Sequence, residues 1–256
     1  MTLTSPTELV LTRVDDGVRF ITFNRPDALN ALRPEMLLAL RDLVIAAQGD
    51  AETRVIVIEG AGRAFSAGVD LKVLQDVTPQ SGKIGDMFDR PAAEATKAIR
   101  RADLPVIAKV HGACFTGALE IALHCDVIYT TEDTKFGDTH AKFGLRPTWG
   151  MSQLLPRRVG LARAKELSFT ARTFSGAEAL AMGLAADAAK DVAALDALIA
   201  RRAGQMVANS GAAIAAYKDL YRLAGEDGPL EEAIDAELAQ TYPGITDTEE
   251  RLADFR

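Results

Sequence analysis

The stretch HGACFTGALEIALHCDVIYTT, residues 111–131, decides the fold because it joins a strand end, a glycine turn, a helix and a further strand. A strand runs into Gly112, and the pattern GALEIALHC predicts a helix that begins at Gly117. The N–H groups of a helix's first turn have no partner within the helix and lie at the positive end of its dipole. The stretch therefore predicts a strand, turn and helix whose exposed N–H groups can stabilise an anionic oxygen.

Glu120 lies one helical turn after Gly117. Because side chains on a helix lean toward its N-terminus, the Glu120 carboxylate can sit beside whatever the Gly117 N–H holds. A glutamate near a helix start also complements the helix dipole without any catalytic role. The spacing alone leaves both interpretations open.

Outward from this stretch, strand and helix patterns alternate through the first two thirds of the chain. Two β-rich runs around the sequence DDG predict a hairpin, and the apolar runs RVIVIEG, LPVIAKVHG and CDVIYTT are typical of strands covered on both faces. Helical spacing follows Pro34 and recurs over residues 92–101. Strand patterns fade from about Ser175, and residues 191–256 are almost wholly helical in pattern. The sequence thus predicts an α/β fold followed by a helical region.

One segment breaks this alternation. Residues 76–91, DVTPQSGKIGDMFDRP, mix proline, glycine and polar residues with little periodicity. Such composition is typical of a mobile loop near a pocket. The helix over residues 92–101 is then expected to follow this loop.

Composition excludes several classes of function. With 29 basic and 36 acidic residues the chain has a formal net charge of -7, whereas a general nucleic-acid binder needs a basic surface. No window reaches the roughly 18 apolar residues of a membrane span, and the start lacks a signal-peptide pattern, so we expect a cytoplasmic protein with no membrane partner. Cys114 and Cys125 lack metal-ligand spacing, which favours reduced, packed thiols and no metal site.

A second glycine-rich stretch, AGRAFSAGVDLK at residues 61–72, follows the buried strand RVIVIEG. A dinucleotide fingerprint is incomplete there, because Phe65 stands where the third glycine would be. A nucleophile elbow around Ser66 is half absent, because Ala64 stands where that motif needs glycine. What remains is a glycine-rich turn whose main-chain N–H groups can face a ligand.

Several separated segments together resemble the enoyl-CoA hydratase and isomerase superfamily, the crotonases. NRPDALNAL resembles the family's early motif, AFSAGVDLK its first oxyanion-loop motif, and HGACFTGALEIALHCDVIYTT its second. KFGDTHAKFGLRPTWGMSQLLPRRVG then resembles the next block without a gap, so the resemblance covers nearly the whole chain. It implies a spiral of ββα units over residues 1–195, and a helical region over residues 196–256 that builds homotrimers or dimers of trimers.

The resemblance also implies an acyl-coenzyme A thioester as the ligand, with coenzyme A carried by the substrate and no separate cofactor. The N–H groups of Val69 and Gly117 would hold the thioester oxygen while the enolate forms. Glu120 matches the catalytic glutamate that deprotonates water in the hydratases. The second catalytic glutamate of those enzymes matches His140, which is the main departure from the family pattern.

Further substrate contacts are implied by position. Arg25, Lys72 and the main chain around Ala28 match regions that line the nucleotide end of the ligand, although a solvated role suits either cation equally well. Trp149 is expected to form core or pocket wall. The first oxyanion loop contributes the remaining implied contacts, at Ala67, Gly68, Asp70 and Leu71.

His140 can share acid and base work with Glu120, because an imidazole titrates near about pH 6.5 and a nearby carboxylate favours its protonated form. A structural or substrate-contacting role fits the same sequence. Asp138 is a rival, since in an extended segment it shares a face with His140 and can orient or replace the imidazole. We expect His124 to pack or hydrogen-bond locally on its helix, and His111 to belong to loop structure.

The leading expectation is therefore an enzyme that adds water to a 2-enoyl-CoA thioester and gives the 3-hydroxyacyl-CoA. The missing second glutamate leaves room for double-bond isomerisation or another reaction at the same site. It also leaves room for a protein of another class, a non-catalytic acyl-CoA binder on the same fold.

Overall fold

The computed structural model describes residues 3–74, 81–224, 241 and 243. In that part of the chain the strands are β1 (Val10–Asp15), β2 (Val18–Phe23), β3 (Val55–Gly60), β4 (Val106–Val110), β5 (Ala113–Phe115), β6 (Val127–Thr131), β7 (Lys135–Gly137), β8 (Phe174–Ser175) and β9 (Asp187–Ala189). The helices are α1 (Pro34–Gln48), α2 (Leu71–Leu74), α3 (Asp86–Arg101), α4 (Gly117–His124), α5 (Met151–Val159), α6 (Leu161–Thr170), α7 (Gly176–Ala181), α8 (Val192–Ala208) and α9 (Gly211–Ala224). The mixed order of strands and helices confirms the α/β class.

The larger sheet has six strands in the order β1-β2-β3-β4-β6-β9. β1 and β2 form the predicted antiparallel hairpin, and every later neighbouring pair is parallel. β3 is buried at every position, as expected of a strand covered on both faces. The hairpin and the three buried strands predicted from apolar runs are confirmed.

The two faces of β3 carry two hydrophobic clusters. Ile56 and Ile58 belong to the main core, which includes the buried faces of α1, α3 and α4. Val55 and Val57 face the other way and pack in a cluster with side chains of α8. Alternation along a strand sends successive residues to opposite faces, so one apolar run supplies both clusters.

A second, three-stranded sheet has the order β5-β7-β8 and positions the chemistry. β5 leads directly into α4, and it pairs in parallel with β7, which leads to His140. An isolated parallel bridge joins Cys114 of β5 to Ser66 of the first glycine-rich loop. Three separate pieces of the sequence are therefore tied side by side.

Two predictions about local structure need correction. α3 begins at Asp86, so the loop predicted for residues 76–91 is wrong over residues 86–91. Asp86 and Asp89 lie in the first turn, where acidic side chains complement the helix dipole, and the helix accommodates Pro91 in its second turn. Residues 76–80, the first five of that predicted loop, lie outside the described residues.

The second correction is a short strand, β9, beyond the point at which strand patterns fade. Three residues are too few to show a period of two, so the pattern carried no signal for it. α8 and α9 confirm the helical pattern up to residue 224, and residues 225–240 lie outside the described part. α8 runs across the boundary drawn between residues 195 and 196, and the two-part division stays a prediction. In the described ranges, no helix combines the length and the apolar character that crossing a membrane requires.

Candidate active site

The two glycine-rich loops lie against each other at the start of α4. Ser66 N donates to Ala113 O at 3.0 Å, and Phe115 N donates to Ser66 O at 3.3 Å. Gly68 has a φ of 95°, and a Cβ built on it would lie 2.9 Å from Phe115 O and 3.9 Å from Gly117 N. Only glycine permits this approach, which brings the N–H groups of both loops to one place.

The N–H groups of Val69 and Gly117 have no acceptor among the described residues. Leu32 pairs with the residues on either side of Val69, donating to Gly68 O at 2.7 Å and accepting from Asp70 N at 2.9 Å. In such a parallel bridge the N–H of the middle residue points away from the partner strand. Gly117 is the first residue of α4, so its N–H has no intrahelical partner.

Both residues line one cavity of about 230 Å³. Glu120 and His140 line the same cavity, together with apolar side chains that include Leu71 and Trp149. The structure therefore brings the four residues expected to be catalytic to a single space. Which of them act in a reaction stays a prediction.

Glu120 is 1% exposed, and hydrogen bonds to one of its two carboxylate oxygens hold it in place. Its Oε1 accepts from Trp149 N at 3.1 Å and from Met151 N at 3.0 Å. Burial raises the pKa of Glu120 to about 7, and the nearby His140 and the two N–H donors limit this rise. A carboxyl group with such a pKa can release and accept a proton near neutral pH.

His140 is held by a hydrogen bond at one of its two ring nitrogens, Nδ1. Its Nδ1 lies 2.7 Å from Asp138 Oδ1, and its Nε2 lies 3.7 Å from Glu120 Oε2. Burial alone would lower the pKa of His140, but the hydrogen bond to Asp138 and the charges of Glu120 and Asp138 raise it above its ordinary value. Asp138 is itself buried, yet hydrogen bonds from His140 and Ser168 keep its pKa below the usual value.

The ionised Asp138 assigns the proton on the imidazole. Its carboxylate can only accept, so Nδ1 carries a hydrogen and donates it, as assigned from the hydrogen-bond network. Nε2 then carries a lone pair in the neutral ring and a hydrogen in the charged ring. Asp138 does not line the cavity and therefore orients His140, the first of the two roles that the sequence allowed.

Thr116 fixes the relation between α4 and the His140 segment. It has a φ of 48°, unusual for a β-branched residue, and its N donates to Gly137 O at 2.8 Å. Its Oγ1 accepts from Thr139 N at 3.2 Å and lies 2.5 Å from Thr139 Oγ1. Both threonines line the cavity. Sequence reasoning missed this link, and its only signal was a threonine between a strand and a helix-starting glycine.

The implied substrate contacts divide into two groups. Ala67, Gly68, Leu71 and Trp149 line the cavity, as expected. Arg25 and Asp70 pair with each other, with Nη2 and Oδ2 2.9 Å apart, and Asp70 also accepts from Lys72 N at 3.1 Å. Ala28 and Lys72 are exposed. The cavity includes none of these last four residues, and their contact with the nucleotide end stays a prediction.

The other two histidines are buried outside the cavity lining. His111 Nε2 lies 2.8 Å from Gly62 O, at the base of the first loop, as expected of loop structure. His124 is buried and packed, one of the two alternatives expected for it, but its hydrogen bonds are not local to α4. Its ring reaches Arg100 and Trp149, residues on other elements that the helix pattern could not reveal.

Comparison with known proteins gives one consistent family. A family model described as enoyl-CoA hydratase/isomerase matches residues 13–252. An Arabidopsis thaliana protein named "Probable enoyl-CoA hydratase 1, peroxisomal" is 36% identical over 154 residues, which are 60% of this chain and 56% of that protein. This chain thus spans just over half of that relative's length.

Two further similarities are more extensive. The peroxisomal Delta(3,5)-Delta(2,4)-dienoyl-CoA isomerase of Arabidopsis thaliana is 33% identical over 186 residues, 69% of this chain and 67% of its own length. The crystal structure of an enoyl-CoA hydratase from Thermoplasma volcanium GSS1 matches with a TM-score of 0.87 at 28% identity. That similarity covers 98% of both chains.

Proposed function

The chain belongs to the enoyl-CoA hydratase/isomerase family, with the crotonase fold, and from that premise we propose that it adds water to a 2-enoyl-CoA thioester to give the 3-hydroxyacyl-CoA. The family binds acyl-CoA thioesters. The observation that carries the proposal is the meeting of one carboxylate, one imidazole and two N–H groups, which have no acceptor in the described part of the chain, in one cavity.

The N–H groups of Val69 and Gly117 would receive the thioester carbonyl oxygen. Attack at the β-carbon moves negative charge onto that oxygen, and fixed donors stabilise an enolate more than a neutral carbonyl. One such donor contributes about 3 kcal/mol in comparable sites. Both donors belong to the main chain, so the side chain of Val69 is free to vary.

Glu120 would act as the base. Its Oε1 is occupied by the N–H groups of Trp149 and Met151, which leaves Oε2 to take a proton from water. The oxygen of that water forms a bond with the β-carbon while the double-bond electrons move toward the thioester. A pKa of about 7 leaves a large ionised fraction near neutral pH.

His140 would deliver the second proton. In its charged form the Nε2–H faces the cavity, and transfer of that proton to the α-carbon completes the 3-hydroxyacyl thioester. Glu120 then holds the proton from water and His140 is neutral. Because Oε2 and Nε2 lie 3.7 Å apart, one proton transfer between them, direct or through a water, restores the starting state.

Isomerisation is the second candidate, and the family's own description includes it. In that reaction no water is consumed: one group removes a proton beside the thioester carbonyl and the proton returns two carbons away. The same N–H pair would stabilise the dienolate intermediate. Glu120 or His140 alone suffices for this, so the departure at His140 does not count against it.

A non-catalytic acyl-CoA binder is the alternative from another class, motivated by His140 in place of a glutamate. It shares with the enzymes a thioester ligand, and like them it would need no separate cofactor and no nucleic-acid or membrane partner. Assembly as homotrimers or dimers of trimers, with residues 196–256 at the contacts, belongs to the proposal in each case, as does a cytoplasmic location.

The deciding experiment incubates the purified protein with matched 2-enoyl and 3-enoyl thioesters and identifies the products by mass. Hydration removes the conjugated absorbance and adds the mass of one water, whereas isomerisation of the 3-enoyl thioester creates that absorbance without a mass change. If neither thioester is turned over but both raise the temperature of thermal unfolding, the protein is a non-catalytic acyl-CoA binder and not an enzyme. Glu120→Gln serves as the inactive control, and Glu59→Gln changes another buried glutamate that lies outside the cavity.

A further inference from the structure

His124, the last residue of α4, holds two groups that come from other elements. It is 7% exposed, its Nδ1 lies 2.9 Å from Arg100 Nη1, and its Nε2 lies 2.6 Å from Trp149 O. Neither bond belongs to the chemistry described above. The residue is one turn along the helix from Glu120, on the same face.

The partners of His124 determine which nitrogen carries its proton. A guanidinium can only donate, so Nδ1 must accept from Arg100. The ring hydrogen is therefore on Nε2 and is donated to the Trp149 carbonyl. Burial, partly offset by the hydrogen bond to Trp149 and reinforced by the charge of Arg100, lowers the pKa of His124 to about 4.

The Trp149 carbonyl belongs to the turn that grips Glu120. Trp149 N and Met151 N both donate to Glu120 Oε1, so residues 149–151 contact both His124 and Glu120. Gly150 has a φ of 114°, and a Cβ built on it would lie 3.0 Å from His124 Nε2. The ring of His124 thus packs closely on the turn as well as bonding to it.

The same turn also borders the other half of the site. A Cβ built on Gly117 would lie 2.6 Å from Cζ3 of the Trp149 ring. Trp149 therefore contacts the residue whose N–H faces the cavity, and it donates to the carboxylate of Glu120. A shift of this turn would displace both groups together.

We propose that His124 is a positioning residue: as a neutral Nε2–H donor to the Trp149 carbonyl, it sets the turn whose N–H groups hold Glu120 Oε1. The inference rests on the proposed function only for the role of Glu120 as base. The positioning itself is a property of the protein without substrate, and it can be measured there.

Two substitutions separate the two bonds. Glutamine reaches as far as Nε2 and can donate its amide hydrogen to Trp149 O, but it gives up the acceptor at Nδ1. Asparagine is one methylene shorter, so it can accept from Arg100 at the position of Nδ1 but cannot reach Trp149 O. His124→Gln and His124→Asn each remove one buried hydrogen bond, which makes them matched in cost.

The first measurement is the pKa of the Glu120 carboxyl group, followed by NMR in protein with labelled glutamate and assigned with Glu120→Gln. Among the described residues, His140 and Asp138 are the titratable groups whose charges act on the Glu120 carboxyl group. In His124→Asn the weaker N–H donation should raise the pKa of Glu120 above that of the unsubstituted protein, whereas His124→Gln should leave it unchanged. Leu195→Ala, a core truncation in the cluster on the other face of the sheet, controls for loss of stability.

The second measurement is turnover of the thioester identified as substrate. We expect kcat to fall about ten- to a hundredfold in His124→Asn, because a misplaced catalytic group loses its alignment, and to fall far less in His124→Gln. The proposal is overturned if both variants shift the Glu120 titration equally, or if neither shifts it. If the protein turns over no thioester, the NMR comparison still decides the positioning role.

Discussion

Glu120 Oε2 and His140 Nε2 lie 3.7 Å apart in one cavity. The second polar atom of each side chain is fixed by hydrogen bonds to the protein. Trp149 and Met151 hold Glu120 Oε1, and Asp138 holds His140 Nδ1. Each side chain therefore keeps one atom for a substrate. The cavity presents a carboxyl group and an imidazole that are oriented before anything binds.

Glu120→Gln should lower kcat by about 10²- to 10⁴-fold, because glutamine keeps the shape of the side chain but cannot take a proton. Its amide oxygen can still accept from Trp149 and Met151, so binding of the thioester should change little. Steady-state rates at saturating thioester give kcat. Glu59→Gln, which loses an ion pair of 2.8 Å with Lys109, should keep its kcat and should unfold at a lower temperature. Equal rates in the Glu120 variant and the unsubstituted protein would contradict the role of Glu120 as base.

The pH profile of kcat/KM should be bell-shaped. Activity rises with ionisation of Glu120, whose pKa is about 7, and falls as His140 loses its proton above its own raised pKa. Because the two groups interact, the two limbs belong to the pair and not to single residues. In His140→Gln the alkaline limb should disappear. A profile that keeps both limbs in that variant would exclude His140 as the acid.

Stability should depend on pH through Glu120 in the opposite sense to activity. Its pKa is about 4.5 as a model compound and about 7 in the fold, so between those values the folded protein binds more protons than the unfolded chain. The stabilisation present below pH 4.5 is therefore lost as the pH rises through about 7. Glu120→Gln removes this cost, and thermal unfolding at about pH 8 should show a gain of up to about 3 kcal/mol relative to the unsubstituted protein. If the variant's gain in stability over the unsubstituted protein were no larger at about pH 8 than at about pH 5, the raised pKa of the buried Glu120 would be contradicted.

Local pattern predicted much of the fold, because strand and helix periods are local properties. The start of α4 at Gly117 and the buried strand β3 follow from a few neighbouring residues each. The pattern also predicted a glycine-rich turn with available N–H groups at residues 61–72, whereas only the structure shows the carbonyl of Phe115 that a side chain at Gly68 would meet.

Contacts across long stretches of chain gave no such signal. The donors to Glu120 Oε1 come from 29 and 31 residues away, on a turn that no period marks. The sequence predicted local contacts for His124 because its pattern indicates the helix but not the distant partners of the ring. Arg25 looked like a free cation, and its pairing with Asp70 depends on a loop 45 residues further along the chain.

Asp138→Asn should lower kcat about 10- to 10³-fold and lower the pH of the alkaline limb. Asparagine can replace the hydrogen bond but not the charge that favours the protonated ring, and its amide hydrogen can impose the wrong tautomer on His140. Rates across the pH range and the NMR titration of His140 check both effects. Asp133→Asn, another aspartate that accepts from a nearby hydroxyl, is outside the cavity and serves as the control. An unchanged titration of His140 would show that Asp138 does not orient it.

Gly68→Ala should lower kcat/KM about 10²- to 10³-fold, the usual loss when one oxyanion donor is displaced. The added Cβ would meet Phe115 O at 2.9 Å, so the loop that carries Val69 N must move away from Gly117 N. Gly160→Ala is the matched control: Gly160 also has a positive φ, of 81°, but no atom of the described residues lies within 4 Å of its Cβ position. Both variants place alanine in a strained backbone conformation that costs about 1–3 kcal/mol, and thermal unfolding should register it in each. Only Gly68→Ala should lose activity, and a comparable loss in Gly160→Ala would mean that strain, and not the separation of the two N–H groups, limits the rate.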